Sequence, residues 1–110
     1  MITYNKLIRD KIPTIIEKDN KTCVIEILDD DTFVVELKRK LIEEAKELSN
    51  AGSRDELINE LADIGEIFDT IKQTYDISDS EVLEKQKRKA ETNGKFEKRL
   101  FLVSVTKNDE

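Results

Sequence analysis

Residues 33–75 carry two consecutive stretches of helical periodicity separated by one break, and this constrains the fold more than any other feature of the chain. Asp29, Asp30, Asp31 and Thr32 offer a choice of N-caps for a helix from about Phe33 to Asn50, which Ala51-Gly52 ends. Ser53 caps the next helix, Glu56 completes a capping box, and the periodicity runs to about Tyr75. Two long helices joined by so few residues pack as antiparallel neighbours. Ser78 and Glu81 form a second capping box, with Ile77 and Val82 as its hydrophobic staple. They open a third helix to about Thr92, stopped by Asn93-Gly94.

Outside these helices the signals are shorter. Tyr4 to Asp10 reads as an irregular or short helical opening, and Pro13 suits a first helical turn that continues through Glu17. Thr22 to Leu28 and Leu100 to Val105 are apolar and β-branched enough to predict two short strands that pair. The expected fold is mainly α: three main helices, a short N-terminal segment and a minor terminal strand pair. At 110 residues and 12.8 kDa, with three glycines, one proline and no linker, the chain reads as a single domain over residues 1–110. So small a core predicts completion by a second subunit.

Charged residues make up 40% of the chain, with 25 acids against 19 bases and a net charge of -6. This balance argues against binding to nucleic acid polymers or to anionic membranes. With no histidine, there is no Ser-His or Cys-His dyad and no imidazole-ligated zinc, so catalysis must use carboxylates, lysines or an oxygen-bound metal. The one cysteine, Cys23, excludes an intrachain disulfide and, beside Val24 and Ile25, reads as an inert strand residue. No apolar run is long enough to span a bilayer and no signal-type opening is present, so the expected location is the cytoplasm.

The acids are concentrated in the centre: residues 29–76 hold fourteen against six bases. Unrolled at about 100° per residue from Leu41, the first long helix places Val34, Leu37, Ala45 and Leu48 in an apolar stripe. Glu44 then falls about 60° from the centre of that stripe, Glu47 about 120° and Glu43 about 160°. On the second helix, Leu57, Ile64, Phe68 and Tyr75 gather around Leu61, with Glu60 about 100° round and Asp63 about 60° beyond it. Carboxylates beside apolar stripes on two packed helices repel unless something neutralises them. Lys40 is the one central base positioned for an ordinary ion pair. Hard divalent cations, Mg²⁺ or Mn²⁺, are the alternative that all-oxygen donors favour. Glutamate pairs at helical spacing are also common on solvated faces, so spacing alone leaves both readings open.

The run Glu43-Glu44-Ala45-Lys46-Glu47, twelve residues and then Glu60-Leu61-Ala62-Asp63 resembles the EExxE…ExxD signature of the MazG-like all-α nucleoside triphosphate pyrophosphohydrolases. The opening Tyr4-Asn5-Lys6-Leu7-Ile8-Arg9-Asp10-Lys11-Ile12-Pro13 is similar to the YNKLVRDKIP start of the phosphoribosyl-ATP pyrophosphohydrolase-like branch. The resemblance extends from Tyr4 to about Leu102. It implies a MazG-like bundle completed by dimerisation or higher assembly, and Mg²⁺-dependent hydrolysis of a nucleoside triphosphate to monophosphate and pyrophosphate, as house-cleaning of noncanonical or deoxy nucleotides.

The resemblance also assigns roles. Glu44, Glu47, Glu60 and Asp63 would be metal ligands, with Glu43 an auxiliary catalytic acid and Glu47 the choice for proton acceptor. Lys6, Arg9 and Lys11, together with Lys85, Lys89 and Asn93, would contact phosphate or sugar. Many relatives read Arg-Gly-Gly-Phe where this chain has Asn93-Gly94-Lys95-Phe96, so Lys95 joins the candidate substrate contacts and bears on base and sugar preference. Phosphoribosyl-ATP as substrate, or a non-catalytic helical interaction module, are the competing readings.

Overall fold

Helix-capping chemistry sets the boundaries of the elements in the computed structural model, which describes residues 1–109. In chain order these are α1 (Ile12–Lys18), α2 (Asp30–Ser49), α3 (Arg54–Thr74) and α4 (Asp79–Asn93). Pro13 occupies the first turn of α1, where a missing N–H costs nothing. Of the four residues offered as caps for α2, Asp29 is the one used. Its carboxylate accepts from the Thr32 N–H at 2.8 Å, so the helix begins three residues earlier than the apolar periodicity predicts.

Ser53 caps α3 by accepting from the Glu56 N–H at 3.2 Å. The expected reciprocal bond is redirected: Glu56 accepts from the Gly52 N–H at 2.7 Å rather than from Ser53. Asp76, in the left-handed region at φ 56°, turns the chain after the C-cap Tyr75. The capping box of α4 is complete, since Glu81 accepts from the Ser78 N–H at 2.7 Å and the Glu81 N–H donates back to Ser78 Oγ at 3.2 Å. Gly94, at φ 82°, ends that helix.

The structure corrects the strand expectation: no strand occurs among the described residues, and both Thr22 to Leu28 and Leu100 to Val105 lack regular structure. Their alternation of apolar and β-branched residues measures fitness for a pleated surface, whereas a strand also needs a ladder partner, and neither segment has one. Cys23 is therefore a half-buried loop thiol rather than a strand residue. No helix is long and apolar enough to cross a membrane among the described residues.

The chain divides into two units, Met1–Asp76 and the residues from Ile77 onward. In the first, α2 and α3 are helices of 20 and 21 residues joined by four, and they pack on each other as an antiparallel hairpin. The core of the hairpin is Leu37, Ile64 and Ile67, each 9% exposed or less. This is a rotation of the seam relative to the stripes read from sequence. On α3 the buried residues lie about 60° to 120° from Leu61, the side on which Glu60 itself sits. Leu61 and Phe68, expected at the core, are 57% and 50% exposed, and Ala45 of α2 is exposed too. The physical reason is coverage: α2 is a single helix and can shield only one flank of a wide apolar face.

In the second unit, Ile77 ahead of α4 and Val82, Lys85, Gln86 and Lys89 on it line one shallow, open groove. Ile77 and Val82 thus lie together as the staple predicts, at the margin of a largely exposed helix.

Candidate metal centre

The rotated seam carries the acids inward. Glu44 lies five residues before the end of α2 and Glu60 six residues after the start of α3, so an antiparallel hairpin sets them at the same height. Asp63 follows one turn along α3. Ligand oxygens of Glu44, Glu60 and Asp63 all lie within 4.8 Å of one another. These are three of the four metal ligands expected from the resemblance. Glu47, the fourth, is exposed and outside this group, because it falls about 60° further round α2 than Glu44.

Burial of the three is uneven and informative. The Glu44 side chain is 12% exposed and Asp63 is 32% exposed. Glu60 Oε2 is shut off from solvent and has no hydrogen-bond partner, while its Oε1 receives only a long contact of 3.5 Å from Asn59 Nδ2. An orphaned carboxylate oxygen is among the costliest groups to bury. Burial first, with the adjoining carboxylates of Glu60 and Asp63 adding to it, pushes the Glu44 carboxyl up to about 7, and Lys40 only partly offsets this. Lys40 Nζ stands 3.9 Å from Glu44 Oε1, which is the ion pair its wheel position suggests, at a distance too long for a hydrogen bond.

Two more cations come from the segment ahead of α1. Arg9 Nη2 donates to Asp63 Oδ1 at 2.7 Å, and Lys6 Nζ lies 3.7 Å from Glu43 Oε1. Lys6 also stands 5.8 Å from the centre of the Tyr4 ring. The third N-terminal candidate, Lys11, is exposed. Glu43, expected to point away from the seam, is 40% exposed and meets the N-terminal segment instead of the acidic group. The distal candidates belong to the second unit. There Lys85 and Lys89 share one face of α4, Asn93 is its last residue and Lys95 follows the terminating glycine.

Sequence reasoning missed two features of the site. The Arg9–Asp63 ion pair links positions 54 residues apart, and no helical period reports on such a contact. The burial that raises the Glu44 carboxyl beside Glu60 depends on how far the seam is rotated, to which the position of Glu60 between Ile64 and Ile67 was the available clue.

No family model and no solved structure matches the chain. A protein of Mycolicibacterium smegmatis, described only as uncharacterized, is 44% identical over 50 residues, covering 46% of this chain and 51% of that protein. The chain thus matches about half the length of that relative, whose description carries no activity.

Proposed function

We propose that the chain is a Mg²⁺-dependent nucleoside triphosphate pyrophosphohydrolase acting on noncanonical or deoxy nucleotides, with Glu44, Glu60 and Asp63 holding the cation. The supporting observation is the enclosed, partnerless Oε2 of Glu60 beside two further carboxylates. The donor set fits the ion: three hard oxygens converging from two helices, with Glu44 held toward its protonated form by burial and by the neighbouring carboxylates when no cation is present. The resemblance of the two acidic motifs and the N-terminal decapeptide to MazG-like enzymes supports the same reading.

When bound, Mg²⁺ supplies Lewis-acid neutralisation of polyphosphate charge. The chain's own groups do the rest. Glu44 gives up its proton and, with Glu60 and Asp63, fixes the charge at one point of the hairpin. Glu47, on the wetter edge of α2, accepts the proton of the attacking water, and Glu43 is the auxiliary acid next to it. Water adds at the α-phosphorus, the α–β anhydride bond breaks, and its electron pair leaves with pyrophosphate. Lys6, Arg9 and Lys11, on the segment ahead of α1, provide cations for the phosphates.

A second copy completes the protein in this reading. Leu57, Leu61 and Phe68 form an exposed apolar stripe on α3, on the face that α2 leaves open.

A panel of nucleoside triphosphates, with phosphoribosyl-ATP included, assayed for pyrophosphate release with and without Mg²⁺ tests the proposal. The expected result is metal-dependent pyrophosphate, reduced at least tenfold by Glu60→Gln or Asp63→Asn. Orthophosphate as first product, or full activity in both variants, would contradict it. No turnover of any nucleotide by a folded oligomer would favour the interaction-module reading.

A further inference from the structure

In the structure Asp63 is claimed by Arg9, and this contact has a direction built into it. The guanidinium sits on Asp63 Oδ1 at 2.7 Å, one turn of α3 from the orphaned oxygen of Glu60. It is carried by the short segment of residues 4–11, whose second ionic attachment is Lys6 on Glu43 at 3.7 Å. The Arg9 side chain is 58% exposed, so it can move into water without losing a buried environment. Behind it, the Ile12 N–H donates to the Arg9 carbonyl at 3.1 Å and anchors the segment to the start of α1. The arm is thus tethered at one end and held across the acidic group by side-chain charge.

We propose that Arg9 is a built-in counter-ion that competes with the divalent cation for Asp63, so that cation entry releases the residue 4–11 arm and frees the Arg9 guanidinium for phosphate. The inference rests on the metal reading above and concerns the regulation of that site. Its physical basis is that a carboxylate engaged by a doubly charged ion attracts a guanidinium less, while the ion itself repels it. A guanidinium fork suits two phosphate oxygens as well as it suits a carboxylate, so the released group has a use when the nucleotide arrives. The coupling runs both ways, and the seated arm lowers the affinity for the cation.

Calorimetric titration with Mn²⁺, together with amide spectra recorded during a Mg²⁺ titration, separates the possibilities. Arg9→Gln is expected to bind Mn²⁺ about twofold to fivefold more tightly than the unaltered chain, the range set by an exposed ion pair. Arg39→Gln is the matched charge change at a residue paired with Glu36 on α2, and is expected to leave the affinity unchanged. In the unaltered chain, Mg²⁺ should shift the amides of residues 4–11 toward their positions in metal-free Arg9→Gln. Several results would overturn the inference: equal or weaker binding by Arg9→Gln, an equal gain in Arg39→Gln, or arm amides unmoved while those of Glu44 and Glu60 shift. In each of these the metal reading survives. If no variant binds Mn²⁺ and no amide responds to Mg²⁺, both fall together.

Discussion

Glu44 keeps its proton chiefly because burial penalises its charged form, and the neighbouring carboxylates of Glu60 and Asp63 add to that effect. The folded chain therefore binds a proton at Glu44 up to a pH of about 7, whereas a carboxyl of the unfolded chain releases it near 4.5. The sign follows from linkage: between these values the folded state holds more protons, so stability falls as pH rises. The melting temperature of chelator-treated protein is expected to drop between pH 5 and pH 8 through this group, Glu44→Gln should flatten the drop, and Mg²⁺ should reverse it at pH 8. A melting temperature that does not differ between the variant and the parent across that range would contradict the proton assignment. At this scale much of the site was legible. Positions at about 100° per residue picked out Glu44, Glu60 and Asp63 from fourteen central acids. The same positions include Glu47, which is exposed and outside that group, because the wheel shows angular order but not where a neighbouring helix ends its coverage. Arg9 was legible only as a candidate for phosphate, since its carboxylate partner lies on a helix far along the chain.

At the scale of the element, capping residues carry the boundaries and apolar contacts carry the packing. Ser53 orients the start of α3 six residues ahead of Glu60, and Ser53→Ala is expected to cost about 1 kcal/mol, read by chemical denaturation. Ile67, 6% exposed against α2, is a heavier support: Ile67→Ala should cost about 2–5 kcal/mol. A loss below about 1 kcal/mol there would mean that the seam does not run where Leu37, Ile64 and Ile67 place it. The three long helices were legible because each begins at a polar cap and ends at a glycine or a left-handed turn. Which of three consecutive aspartates caps α2 was not, since all three offer the same carboxylate. The strands failed for a different reason. Val24, Ile27, Phe101 and Val103 have the side chains of a sheet, yet each is at least 85% exposed, and a ladder depends on a partner that local composition does not encode.

For the whole molecule, the apolar surface left uncovered is the quantity that matters. Leu57, Leu61 and Phe68 share one exposed face of α3, beside the flank that packs on α2. Sedimentation equilibrium at micromolar concentration is expected to show a dimer, and Leu61→Lys to shift it toward monomer; a monomeric parent chain would contradict the assignment of this face. The width of the stripe was legible in the sequence, while its division between an internal partner and open surface was not, because periodicity does not report which part of a wide apolar face a single neighbouring helix covers. The proposed activity depends on one shared position between α2 and α3, and crystals grown with Mn²⁺ and measured at its absorption edge address that position most directly. An anomalous peak bounded by oxygens of Glu44, Glu60 and Asp63 is the expected result. Ordered carboxylates with no peak among them, or a peak held elsewhere on the chain, would contradict the metal centre.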